Sequence, residues 1–368
     1  MKVVAAPTAF KGTLTPLRAA DAIAAGLRQT SREVEVDVCP IADGGDGFLE
    51  AIGEALEVEG RAVLVRGPMH APVKATYGIR REEAGTLAVV ESAQAVGLAL
   101  LQPGQLDPLG ASSGGLGELL AEARQAGSTS FLVGLGGSAS TDGGTGMARA
   151  LGYRFLDGDG HELPEGGGPL ERLRHIDVGG FDHSWALLEA TAARDVDNPL
   201  LGPTGAAAVY APQKGANPEQ VVRLEAGLAR LAEVVRADLG VDIANLPGGL
   251  PGGGAAGGLG AGMVAFLGAT LVPGAEQVIE VVRLESRLAG AGLMVTGEGR
   301  LDRQSLHGKA AVTAGRRARA LGVRSVCIAG SLGDGWQETV GDAFDEVVEA
   351  SAIADPAAGV TAAAARLL

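Results

Sequence analysis

The pattern of apolar residues along this chain predicts an α/β fold in which one domain, built from both termini, carries a second α/β domain inserted between its halves. Three observations predict it. Short β-branched runs alternate with amphipathic helical stretches at the start of the chain, the same alternation returns at its end, and closely spaced strand-like runs joined by turns interrupt it in between. The boundaries are expected near residues 70 and 285, so that 1–70 and 286–368 form one domain and 71–285 the other.

The elements follow in order. Val3 to Ala6 reads as a strand, Pro7 to Thr13 as a loop, and the next stretch as a helix with Thr15 as N-cap, Pro16 at its first position and Leu17, Ala20, Ile23, Ala24 and Leu27 along one face. Val34, Val36 and Val38 alternate with acidic residues, a period-two strand that runs into the loop Pro40 to Gly47 and a helix carrying Phe48, Leu49, Ile52 and Leu56. Ala62 to Val65, Lys74 to Ile79 and Leu87 to Glu91 lie close enough together to form antiparallel ribbons. A helix from Gly114, the strand Phe131 to Leu135 and a glycine loop restore the βα order, and helices are expected near Pro218 to Leu239 and Gly258 to Leu267. Leu293 to Thr296 then reads as a strand, followed by a polar loop to Gly308, a helix from Lys309 to Leu321 and the strand Ser325 to Ala329.

Bulk composition excludes several classes. A formal charge of −14 argues against nucleic-acid or anionic-membrane surfaces, both of which require a basic footprint. The Gly/Ala-rich stretch Gly252 to Ala269 opens with too much glycine for a membrane span. Cys39 and Cys327 stand alone, and the N-terminus runs into Val3 and Val4 without a signal-peptide layout, so a cytoplasmic location is expected. The five histidines, His307 among them, lack zinc-ligand spacing, and no Walker A motif is present.

Lysine is scarce, five residues against twenty-five arginines, yet Lys11, Lys214 and Lys309 each adjoin a glycine: Gly12, Gly215 and Gly308. A compact ammonium beside pliant backbone suits phosphate, which suggests phosphoryl chemistry. Four loops place acids among glycines after predicted strands, where open α/β sheets bind ligands. Asp43 and Asp46 in the first are suited to Mg²⁺, to a substrate hydroxyl, or to an ordinary capped turn. The second, Gly134 to Gly146, offers successive amides and hydroxyls at a helix start, an expected anion cradle. Asp195 and Asp197 in the third share one side of an extended segment, a spacing for one cation or for a base beside a metal ligand. The fourth gathers Glu298, Arg300, Asp302 and Lys309 before a helix. A rival reading is an NAD-dependent dehydrogenase, because Gly134, Gly136 and Ala139 match a relaxed dinucleotide fingerprint with Asp157 at about the expected ~20-residue distance. A non-catalytic sensor of phosphates or sugar acids is a third.

Seven ordered blocks resemble the bacterial glycerate kinase family of the glycerate 2-kinase type. Ala6-Pro-Thr-Ala-Phe-Lys-Gly12 is similar to A-P-D-S-F-K-G, Ile41-Ala-Asp-Gly-Gly-Asp-Gly47 to A-D-G-G-E-G, and Gly136-Gly-Ser-Ala-Ser-Thr-Asp-Gly-Gly144 to G-G-S-A-T-N-D-G-G. Asp195 to Leu200, Pro212 to Gly215, Gly254 to Gly260 and Thr296 to Arg300 complete the set. The resemblance implies a flavodoxin/Rossmann-like domain with an insertion, and ATP- and Mg²⁺-dependent phosphorylation of D-glycerate at the 2-hydroxyl by a monomer or homodimer. Departures at Thr8, Ala9, Thr141, Arg194, Ser305 and Ala311 leave a related small hydroxy acid open as substrate, and Arg194 adds a cation suited to gripping a carboxylate.

On this resemblance Lys11 is expected at the transferring phosphoryl group and Gly136, Gly137, Ser138, Ser140, Thr141, Asp142 and Gly143 at the nucleotide phosphates. Asp43, Asn198, Glu298, Arg300, Asp302 and Lys309 are expected at the substrate, with Arg300 and Lys309 on its carboxylate or on the product phosphate. Asp195 or Asp197 is expected as base, and Asp46 with Asp197 at the metal.

Overall fold

Strand Lys2–Ala5 lies parallel to strand Leu293–Glu298, Val3 opposite Leu293 and Ala5 opposite Val295, so the two ends of the sequence meet in one sheet. Its five strands are all parallel, in the spatial order Glu35–Val38, Lys2–Ala5, Leu293–Glu298, Arg324–Ala329, Glu346–Glu349. Numbered along this unit, that is the doubly wound order 2-1-3-4-5 of flavodoxin-like sheets, and the order reverses between Lys2–Ala5 and Leu293–Glu298. The computed structural model describes residues 1–246, 251–306, 309–350 and 355–368; His307 and Gly308, singled out above, lie outside them.

Local chemistry explains the elements around this sheet. Helix Pro16–Thr30 starts where Thr15 accepts a hydrogen bond from the Arg18 N–H and Pro16 supplies a preset φ at its first position. Its buried stripe, Ala19, Ile23 and Leu27, joins Val3, Val295, Val326 and Val360 in one core. Val360, Ala363 and Ala364 reach that core from helix Pro356–Ala364. A second small core under helix Ala310–Ala320 holds Val312, Cys327 and Phe344.

The chain divides into two units, Met1–Val58 with Pro273–Leu368, and Glu59–Val272. These divisions lie earlier than the expected 70 and 285, because Glu59–Arg66 pairs antiparallel with Pro72–Glu82 and so begins the second sheet. That sheet has six strands, in the order Thr270–Pro273, Glu189–Arg194, Ser130–Leu135, Gly85–Glu91, Pro72–Glu82, Glu59–Arg66. The three strands from Glu59 to Glu91 form the antiparallel ribbon, while Gly85–Glu91, Ser130–Leu135 and Glu189–Arg194 run parallel. Helix Pro218–Leu239 begins with a reciprocal capping box between Asn217 and Gln220.

The dinucleotide reading fails here. Arg154–Leu156, which should return as the next parallel strand, pairs antiparallel with His175–Asp177 in a separate two-stranded sheet, and the intervening helix Thr145–Ala150 has six residues. Asp157 Oδ1 accepts from both the Asp159 and His161 amides, capping its own turn. Among the described residues no helix is long and apolar enough to cross a membrane.

Candidate active site

A cavity of about 440 Å³ opens in the first unit, lined by Thr8 to Lys11, Asp43, Asp46, Glu298 to Arg300 and Lys309, with Val360 among its apolar walls. These segments follow the carboxyl ends of Lys2–Ala5, Glu35–Val38 and Leu293–Glu298, at the reversal of strand order where such sheets bind ligands. Hydrogen bonds hold the first loop against the central strand: the Thr8 amide and hydroxyl both donate to the Gly297 carbonyl, at 2.8 and 3.0 Å. Position 297 must stay small, since a Cβ there would lie 3.0 Å from Phe10 Cζ and 2.8 Å from the Ile328 carbonyl oxygen. With Phe10 seated on the strand, the short turn from Phe10 to Leu14 carries Lys11 exposed at the cavity.

Three cations and three carboxylates thus line one cavity: Lys11, Arg300 and Lys309 with Asp43, Asp46 and Glu298. Glu298 ends its strand with 5% of its surface exposed, and its Oε1 is buried without a hydrogen-bond partner. Burial pushes its carboxyl up to about 7, opposed by Lys309, whose Nζ lies 3.5 Å from Oε2, and by the Ser305 hydroxyl, and reinforced by Asp43. Arg300 Nε lies 3.3 Å from Asp302 Oδ2, so Asp302 orients the guanidinium instead of lining the cavity itself.

The remaining expected site residues lie in the second unit, and several are engaged inside it. Asp142, expected at nucleotide phosphates, is fully buried. Its carboxylate accepts from the Ser113 amide and hydroxyl, the Gly144 amide and the Gly146 amide, at 2.8 to 3.2 Å. An internal anion therefore fills the position at the start of helix Thr145–Ala150 where the sequence reading places a ligand. From Gly136 to Gly144 only Gly137 is exposed; the hydroxyls of Ser140 and Thr141 are buried without a partner, and the Gly143 amide donates to the Gly257 carbonyl. Ala256, Gly257 and Gly258 have positive φ, a kink at the start of Ala255–Leu267, just where the glycine-rich loop is expected to enter a helix near Gly258 to Leu267.

Beneath this loop lies Lys214, fully buried, donating to Ser138 Oγ at 3.2 Å and the Ser140 carbonyl at 2.5 Å. Burial pulls it down to about 8, against the attraction of Asp142 and Asp195. Lysine scarcity and Gly215 point to Lys214 in the sequence, but nothing local predicts its burial.

Arg194 is 91% buried and forms an ion pair with Asp197, whose own side chain is 70% exposed. The cation expected to grip a ligand carboxylate here pairs with the chain's own Asp197. Asp195 is half-buried and acts electrostatically on Tyr210 and Lys214. Both ends of the Asn198 amide, expected at the substrate, are engaged internally: Nδ2 donates to the Thr204 carbonyl and Oδ1 accepts from the Tyr210 hydroxyl.

The profile of the Glycerate kinase family matches residues 3–368. A glycerate kinase of Halalkalibacterium halodurans is 40% identical over 335 residues, covering 91% of this chain and 87% of that protein. A glycerate 2-kinase of Escherichia coli K12 is 40% identical over 334 residues, 91% of this chain and 86% of that protein. The crystal structure of a candidate glycerate kinase 2 from Salmonella typhimurium LT2 superposes with a TM-score of 0.83 at 39% identity, covering 100% of this chain and 97% of that one.

Proposed function

The chain belongs to the glycerate kinase family, and on that premise we propose that it transfers the terminal phosphoryl group of ATP to the 2-hydroxyl of D-glycerate. The observation that carries this reading is the cavity at the strand-order reversal, where Lys11, Arg300 and Lys309 face Asp43, Asp46 and Glu298. Phosphoryl transfer makes little covalent demand on a protein; it requires in-line positioning and cations around the charge that develops. Its volume suits a three-carbon acid and part of a nucleotide, since small-ligand sites occupy roughly 300 to 1,000 Å³. The choice of the 2-hydroxyl is supported by the 40% identity to the protein named glycerate 2-kinase.

In this reading Lys11 meets the transferring phosphoryl group, Arg300 and Lys309 hold the glycerate carboxylate, and Asp43 orients a hydroxyl. Among the described residues the lining offers hard carboxylate oxygens and neither sulfur nor imidazole, a donor set that fits Mg²⁺ bound through a carboxylate and substrate phosphates. Asp46 would hold the ion, which when bound would neutralise phosphate charge.

The test supplies the purified protein with D-glycerate and either ATP or NAD⁺, following ADP or NADH and identifying the product by phosphorus NMR. ADP release with a phosphomonoester on C2 is expected. A C3 ester would overturn the regiochemistry, NADH formation the reaction class, and ligand binding without turnover would leave a sensor.

A further inference from the structure

We propose that Glu298 is the general base that takes the proton of the acceptor hydroxyl. This rests on the reading above and assigns the base that it leaves open; of the acids expected in that role, Asp197 is ion-paired with Arg194 and Asp195 is half-buried beside Tyr210 and Lys214. Glu298 lines the cavity from the carboxyl end of its central strand, and its buried Oε1 has no hydrogen-bond partner among the described residues. A buried acceptor left open is costly, more so when charged, and a donor from the substrate recovers that cost. The acceptor hydroxyl is such a donor.

The surrounding groups are arranged for that task. Lys309 lies 3.5 Å from the other carboxylate oxygen and Ser305 hydrogen-bonds to the group; Asp43 faces it with like charge, and the Cys327 thiol, itself raised by burial and by Glu298, lies on the neighbouring strand. Lys11, Arg300 and Asp46 complete the charged groups of the cavity. Burial against Lys309 sets Glu298 near 7, so the carboxylate is available at neutral pH yet basic enough to accept a proton in the transition state. As the acceptor O–H breaks, its proton passes to Glu298 and its electron pair forms the new O–P bond. The bond from the γ-phosphorus to the bridging oxygen breaks and its pair leaves with ADP; Glu298 then returns the proton to solvent.

The experiment measures kcat and KM for D-glycerate against pH in the wild type, Glu298→Gln and Lys309→Met. If the wild type transfers no phosphoryl group to D-glycerate, the reading above fails, whatever Glu298 does. If it does transfer, its kcat is expected to rise with pH through an acid limb near 7. Glu298→Gln should then lower kcat by roughly 10²-fold or more and abolish that limb. A limb belonging to the triphosphate would persist in the variant, and its persistence, or retention of wild-type kcat, overturns the proposal. Should Glu298→Gln fail to fold, Lys309→Met decides: removing the cation that favours the carboxylate should move the limb to higher pH, and an unmoved limb overturns it.

Discussion

An ammonium buried as completely as that of Lys214, with a serine hydroxyl and a peptide carbonyl as its hydrogen-bond acceptors, carries a desolvation cost that pH can relieve. Its folded value of about 8 lies below the 10.5 of a free lysine, so between those values the unfolded chain holds more protons than the folded one. Stability therefore rises as pH climbs through that window, and the full cost is present below its lower end. Lys214→Met is expected to remove this rise: the unfolding free energy of the wild type relative to the variant should grow by on the order of 3 kcal/mol across the window. Urea midpoints at four or five pH values check it, since other titrating groups cancel in the difference; parallel curves would mean that Lys214 is solvated. Residue chemistry was readable in the sequence in proportion to how local it is. Lys11, Asp43, Asp46, Glu298, Arg300 and Lys309 sit on segments that each follow a strand of one sheet, and they meet at one cavity. The internal partners of Asp142 and Asn198, Ser113 and Tyr210, were not legible, because only the tertiary fold brings them together.

At the scale of elements, the pair of helices Pro16–Thr30 and Pro356–Ala364 covers one face of the five-stranded sheet's core. Their approach is set at Gly26, where a Cβ would overlap the Thr361 carbonyl oxygen and lie 2.8 Å from Ala364 Cβ. Two effects compete in Gly26→Ala: alanine favours the helix by about 1 kcal/mol, while displacing backbone in a filled core costs about 1–3 kcal/mol. Because the overlap is with a backbone atom that cannot rotate away, net destabilisation is expected, read as a lower denaturant midpoint at unchanged slope; an unchanged midpoint would show that the helices part freely. Helix Pro16–Thr30 was legible through its N-cap, its proline and its apolar stripe. Its partner was not, because Pro-Ala-Ala-Gly-Val-Thr-Ala-Ala-Ala has almost no polar face to set a period, and strand Glu346–Glu349 is four residues with acids at both ends. The glycines before Gly258 marked where Ala255–Leu267 departs from helical φ/ψ, but not the Gly143 amide that meets the kink, since Gly143 is more than a hundred residues away.

On the scale of the whole molecule, the two units differ in how their cores are closed along the sequence. Every member of the largest core, from Val65 to Leu271, lies within Glu59–Val272. Among the described residues, two smaller cores draw only on the other unit, and the larger of them needs both of its segments, Val3 and Ile23 from one and Val295, Val326 and Val360 from the other. Removing Pro273–Leu368 would strip three of the five parallel strands and leave Lys2–Ala5, Glu35–Val38 and helix Pro16–Thr30 without Val295, Val326 and Val360, which close their shared core. The excised segment Glu59–Val272 keeps its whole sheet and falls within the usual domain range of about 50–250 residues. It is therefore expected to unfold in one cooperative transition with near-ultraviolet circular dichroism from Trp185 and Phe131, which pack at 5.4 Å, whereas Met1–Val58 alone should show none. A segment Glu59–Val272 that melts without a cooperative transition would mean that its core depends on the rest of the chain, and that the insertion is an elaboration of one folding unit rather than a second one.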